Sequence, residues 1–274
     1  RYAPNDGKRR METLVSTEWL ARNLGEPDLA IVGSSAFLPT DGRDGTSEFL
    51  DAHIPGARFL DINIVADRSN PAPHMLPSAA DFGRAMSELG VGRDDRIVVY
   101  DNSPLRTAGR GWFMFRHFGA ERVAILDGGF QKWWAEGRPT ECGAARPRQA
   151  RFDAHANDGE VVTKSQILAG AGAPILDARG KPRFEGTEAD PRPNVGGGHI
   201  PGSRNLPFAS LYREDGTLKS DEELREAFER LDVDPAQPFI ATCGSGVTAN
   251  SLIFAGHRLG GRHSKLYDGS WSEW

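Results

Sequence analysis

The chain has 274 residues, 38% of them apolar and 26% charged, with 33 Lys and Arg against 38 Asp and Glu for a formal charge of -5 at pH 7. This balance describes a well-packed globular protein and argues against a nucleic-acid backbone or an anionic membrane surface as the main partner, since both recruit clustered basic residues. At roughly 100 to 150 residues per domain, the length suits two domains that each close a core.

Residues 1–10 are polar and basic with no apolar stretch behind them, which reads as an extension rather than a secretory leader. No window approaches the roughly 18 apolar residues of a membrane span. Beyond the extension, short β-branched runs alternate with helical patterns. Residues 29–32, 57–61, 97–100 and 123–126 are predicted as buried strands, with amphipathic helices over 78–89 and 106–118 between them. Residues 137–159 have proline and glycine but no apolar period, and read as a connection between domains. The predicted division is a first domain over 11–140, a linker over 141–159 and a second domain over 160–274. In the second domain, 174–177 and 239–242 read as strands and 249–259 as a helix.

The halves repeat each other. His53-Ile54-Pro55-Gly56-Ala57 returns as His199-Ile200-Pro201-Gly202-Ser203, and Leu126-Asp127-Gly128-Gly129-Phe130 as Tyr267-Asp268-Gly269-Ser270-Trp271. The expected fold is therefore α/β, a tandem duplication of one unit with a mainly parallel sheet flanked by helices. The repeat also aligns Asp101, at the end of one strand, with Cys243 at the end of another.

Two cysteines cannot build a disulfide framework, which points to a reducing, cytoplasmic setting. Cys142 falls in the linker and reads as incidental. Cys243 is different, because it ends a predicted parallel strand, where open α/β sheets place their ligands, and it opens the turn Cys243-Gly244-Ser245-Gly246-Val247-Thr248 before a helix. Glycines at the first and third following positions let several amides converge, and the helix aims its positive end at the same point. Such a loop favours an anion, here the nucleophilic thiolate. The turn also resembles that of cysteine phosphatases, but the position where those enzymes hold an arginine is Ala249, so the phosphoryl clamp is missing.

The paired His-Ile-Pro-Gly elements and the Cys243 loop, present in the second copy alone, resemble the two-domain rhodanese superfamily, in particular its 3-mercaptopyruvate sulfurtransferase branch. Thiosulfate-using members place basic residues after the cysteine, whereas Gly244, Ser245 and Gly246 match the mercaptopyruvate pattern. The resemblance implies two rhodanese-like domains, the first inactive through Asp101. It also implies a sulfur transfer by double displacement. Cys243 takes sulfane sulfur from a small 2-oxo acid thiol gripped by Arg183 and Arg192, pyruvate leaves, and a thiol such as thioredoxin, or cyanide, collects the sulfur. The amides of Gly244, Gly246, Val247 and Thr248 would steady the persulfide. Ser245, His74 and Asp61 would move protons, although Asn63 stands where relatives carry an acid, and an amide orients an imidazole without stabilising its charged form. Arg179, His53 and His199 read as structural. No metal or organic cofactor is implied, since neither a ligand cluster nor a dinucleotide fingerprint occurs. The alternatives are a thiosulfate:cyanide sulfurtransferase and a persulfide carrier without turnover. Family members usually carry a short tail beyond the position of Trp274.

Overall fold

Each half of the chain closes around one five-stranded parallel sheet in the computed structural model, which describes residues 11–170 and 172–274. The reading of residues 1–10 as an extension lies outside that range. The first half runs β1 (Leu14–Val15), α1 (Thr17–Asn23), β2 (Leu29–Gly33), α2 (Gly45–Asp51), β3 (Arg58–Phe59), α3 (Ala79–Glu88), β4 (Arg96–Tyr100), α4 (Ala108–His117), β5 (Val123–Leu126) and α5 (Gly129–Ala135). The second repeats it with β6 (Val161–Val162), α6 (Lys164–Leu168), β7 (Ile175–Asp177), α7 (Lys181–Glu185), β8 (Arg204–Asn205), α8 (Asp221–Glu229), β9 (Ile240–Thr242), α9 (Ala249–Arg258), β10 (Lys265–Tyr267) and α10 (Ser270–Glu273). The strand orders are β1-β5-β4-β2-β3 and β6-β10-β9-β7-β8, the same topology twice.

Central strands such as β4 are buried on both faces, which is why they read as unbroken β-branched runs rather than alternating ones. In register, β2 and β4 pair from Leu29 with Arg96 to Gly33 with Tyr100, and β7 and β9 pair from Ile175 with Ile240 to Asp177 with Thr242. Helix starts follow their caps: the Ser78 hydroxyl accepts the Asp81 amide ahead of α3, and Ser220 with Glu223 forms a capping box on α8. The strand expected over 57–61 shrinks to two residues: the Leu60 amide makes the last bond to β2, at Gly33 O, and the chain then turns at Asp61, whose carbonyl accepts the Ile64 and Val65 amides.

The segment read as a linker is a strap. Glu141 bridges His53, the Gly143 amide donates to Leu50 O, and the His155 amide donates to Phe118 O. Phe152 is buried edge-on against Phe82, a single apolar anchor that periodicity could not register.

The halves meet through α4 and α9. Trp112 packs edge-on against Phe254 at 5.0 Å between ring centres, and one apolar cluster runs through both halves across this contact. The loops leaving the carboxyl ends of β2, β3, β4, β7 and β9 consequently face one another across the boundary. Among the described residues no helix is long and apolar enough to cross a membrane.

Candidate active site

Cys243 leaves the end of β9 with its side chain buried, and lines a cleft of about 250 Å³ between the two halves. The turn after it is shaped by two glycines for different reasons. Gly246 has φ +72°, and a Cβ there would lie 2.6 Å from Asp268 O. Gly244 leaves room for guanidinium groups, since a Cβ would come within 2.6 Å of Arg192 Nη1 and 3.1 Å of Arg183 Nη2.

The loop amides do not all face the cleft. The amides of Cys243 and Gly246 donate to Ser270 Oγ at 3.1 and 3.0 Å, and that hydroxyl in turn donates to Tyr267 O at 2.8 Å. The expectation that Gly246 offers its N–H to the sulfur is thus corrected, because that N–H is spent inside the fold. Ser270 has φ +51° and stands where the first half has Gly129 at φ +58°, so a serine takes up a glycine conformation to carry a hydroxyl under the loop.

Arg183 sits on α7, and Arg192 follows in the loop behind it. Asp190 joins them: Arg183 Nη2 donates to its Oδ2 at 2.5 Å, and Arg192 donates to its Oδ1 from Nη1 at 3.1 Å and from its amide at 3.0 Å. Burial pushes the Asp190 carboxyl upward, but these bonds and both guanidinium charges outweigh it and hold the group below the usual carboxylate range. Two cations against one anion leave a positive balance above the thiol. Arg183 Nε is buried without a protein partner, so its fork keeps an unspent donor.

Ser245 Oγ accepts from Arg192 Nη2 at 2.8 Å and lies 3.0 Å from His74 Nδ1, while His74 Nε2 lies 2.9 Å from Asn63 Oδ1. The Asn63 side-chain NH₂ donates to Asp61 Oδ1 at 3.0 Å, which turns its carbonyl oxygen toward the imidazole. His74 therefore carries its proton on Nε2 and accepts the Ser245 hydroxyl at Nδ1, an assignment that follows from the hydrogen-bond network. Burial, with the charges of Arg110 and Arg192, pulls the His74 imidazole down to about 4, so it is neutral at physiological pH. Asp61 does not touch the imidazole; Asn63 stands between them, and the reading of Asp61 as the acid on His74 is corrected accordingly.

Val247 and Thr248 line the cleft beside the thiol, with Phe37, Leu38 and Leu105 of the first half among the other lining residues. Arg179 spends its fork on Asp177 and Gly198 O and stacks over Trp271. His53 and His199 lie away from the cleft, each stacked on a phenylalanine whose carbonyl a ring nitrogen contacts, Phe49 and Phe184 respectively. Cys142 is exposed and Cys243 buried, both as free thiols. Among the described residues no group of three or more His, Cys, Asp or Glu is disposed to hold a metal ion. Sequence reasoning missed Ser270, Asp190 and Arg110. Ser270 was visible as a departure from the repeat, and Asp190 as an acid two residues before an arginine; Arg110 gives no signal within its helix.

Comparison with known proteins shows the family. The family model for the Rhodanese-like domain matches residues 16–136 and again 159–274. The chain is 40% identical over 270 residues to human 3-mercaptopyruvate sulfurtransferase, covering 95% of this chain and 91% of that one. It is equally 40% identical, over 271 residues, to rat thiosulfate sulfurtransferase, with 95% and 91% covered. The crystal structure of SseA, a 3-mercaptopyruvate sulfotransferase of Escherichia coli, superposes with a TM-score of 0.87 at 39% identity, covering 95% of this chain and 99% of that one.

Proposed function

The chain belongs to the rhodanese family, and from that premise we propose that it is a sulfurtransferase that takes sulfane sulfur from 3-mercaptopyruvate onto Cys243 and hands it to a thiol or to cyanide. The observation that carries this is one arrangement: a buried thiol beneath two guanidinium groups, with Ser245 bonded to one of them and to a neutral imidazole.

Arg183 and Arg192 suit the carboxylate and keto oxygen of a 2-oxo acid, which their forks grip better than a point charge would. The Cys243 thiolate attacks the donor sulfur. The carbon–sulfur bond breaks, and its electron pair passes to the three-carbon fragment as the pyruvate enolate. Ser245 accepts the donor's thiol proton while passing its own to His74 Nδ1, and the same path returns a proton to the enolate carbon. The donor's thiol proton ends on pyruvate, and Cys243 is left as a persulfide anion beside the loop. An imidazole held near 4 retains that proton at neutral pH only at a cost on the order of 4 kcal/mol, which favours its prompt return. The acceptor then attacks the outer sulfur and regenerates Cys243. Two free cysteines support a reducing, cytoplasmic setting, with thioredoxin-like dithiols as suitable acceptors.

Identity alone does not choose the donor, because the thiosulfate enzyme is as similar as the mercaptopyruvate one. The uncharged turn Gly244-Ser245-Gly246 favours the monoanionic 2-oxo acid over a dianion. Steady-state transfer to cyanide from each donor tests this, with Cys243→Ser as control. The expected result is a strong preference for 3-mercaptopyruvate and a loss on the order of 10⁴-fold or more in the variant. A preference for thiosulfate would overturn the donor assignment, and no turnover of either donor would favour a carrier.

A further inference from the structure

Helix α4 belongs to the first half, yet one of its side chains is committed to the loop that carries the thiol in the second. Arg110 is 1% exposed. Its Nη1 donates to Gly246 O at 3.0 Å and to Asp268 Oδ1 at 2.7 Å, and its Nη2 donates to His74 O at 2.5 Å. The other oxygen of Asp268 accepts the Leu76 amide at 2.6 Å, which secures the chain on the far side of His74. One guanidinium thus touches the turn after Cys243 and the backbone of the residue whose ring faces Ser245.

That backbone needs holding. His74 has φ +61°, a left-handed conformation that costs a residue with a side chain about 1 kcal/mol or more. A buried ion pair adds little net stability over an apolar pair of the same shape, so what the Arg110–Asp268 pair supplies is geometry. The Asp101 site, the counterpart of the Cys243 site in the repeat, offers a natural contrast. In the repeat, Arg110 corresponds to Ser251, whose Oγ accepts the Tyr212 hydroxyl, and His74 corresponds to Gly216. Around Asp101, where the thiol is missing, the second half therefore supplies neither a guanidinium nor an imidazole at these two positions.

We propose that Arg110, braced by Asp268, is a positioning residue that sets the His74 ring against Ser245 across the domain boundary and keeps that ring in register with the Cys243 loop. This rests on the Ser245–His74 proton path proposed above. The charged groups around His74 are Arg110 and Arg192, with Asp268 paired to the first, Asp190 paired to the second, and Asp61 behind Asn63. Arg110 is the larger of the two cationic influences that lower the imidazole.

The test uses the full chain with 3-mercaptopyruvate as donor, reading kcat, KM and the pH profile of turnover in Arg110→Met, Arg110→Lys, Asp268→Asn and His74→Gln. Arg110→Met is expected to lose about 100-fold in kcat, the scale of a misplaced reacting group. Its KM should hold within about threefold, since Arg183 and Arg192 remain. Its acid limb should move to higher pH, because removing a cation makes the imidazole easier to protonate. Arg110→Lys keeps a charge but not the fork, so kcat should fall with the acid limb in place. A thermal destabilisation of Arg110→Met with kcat and acid limb unchanged would overturn the proposal. If that variant does not fold, unchanged kcat in both Arg110→Lys and Asp268→Asn overturns it instead. A normal His74→Gln enzyme would remove the proton path and this proposal with it, whereas an impaired His74→Gln beside normal Arg110 variants removes this proposal alone.

Discussion

The two halves place different chemistry on the same frame. In both, the aspartate before the last helix reaches across the boundary to an amide of the other half: Asp268 Oδ2 accepts from Leu76 N, and Asp127 Oδ1 accepts from Leu218 N. In both, the residue ending the central strand accepts at its carbonyl from the following repeat element, Trp271 N to Cys243 O and Phe130 N to Asp101 O. The contents differ. Asp101 replaces the thiol and accepts the Ser103 amide at 2.9 Å and the Ala108 amide at 2.7 Å, so the carboxylate fills its own loop. Burial pushes that carboxyl upward even though the two amides oppose it. Arg106, at φ +53°, reaches past Gly216 and stacks over Tyr212, leaving a void of about 20 Å³, the scale of one water. A duplicated site is lost here by refilling: the Asp101 carboxylate takes the amides of its own loop, Arg106 fills the cavity, and the space for a guest closes.

The largest expected effect comes from the pair that the first half lacks. Replacing both Arg183 and Arg192 with Met removes at least two charge-assisted contacts, about 2 kcal/mol each, and should lower kcat/KM for 3-mercaptopyruvate on the order of 10³-fold with Cys243 alkylation preserved. A smaller effect is expected at Asn63, the amide against the imidazole. Asn63→Asp places a carboxylate against His74 Nε2, which favours the imidazolium and raises the imidazole from about 4. A base must be neutral to act, so the acid limb of the kcat/KM profile should move to higher pH, with a change of less than about tenfold at pH 7. An unmoved limb would show that His74 carries no proton in the rate-limiting step. The smallest effect on activity tests the closed site. Asp101→Cys should leave cyanide-releasable sulfur at one equivalent per chain, as in the wild type, while the orphaned Ser103 and Ala108 amides cost about 1–3 kcal/mol in denaturant unfolding. A second equivalent would mean that the thiol alone makes a site.

The duplication, the strand pattern and the Cys243 turn were legible because each leaves a local mark: a repeated string, an unbroken β-branched run, a glycine on either side of a serine. Ser245 and His74 were reached only through resemblance, since nothing local ties positions so far apart. Arg110 was not legible at all, because an arginine within a helix pattern reads as solvated surface until a second domain is packed over it. The segment over 137–159 was legible as a connection but its order was not, for a related reason: that order comes from backbone bonds and one buried ring, Phe152, and neither has a period. Asn63 was singled out only through the resemblance, and only the fold shows that Asp61 orients it.

The continuous core through Trp112 and Phe254 has a consequence for the order of events. Walls joined by packed aromatic rings do not swing apart, so donor and acceptor come to the same thiol through the same opening. The remnant of the first guest must vacate before the second can reach the sulfur, and waiting is thereby imposed by architecture as well as by bond chemistry. On the proposed mechanism the sulfur between visits rides on a buried atom under two arginines, within reach only of an acceptor that can enter the cleft.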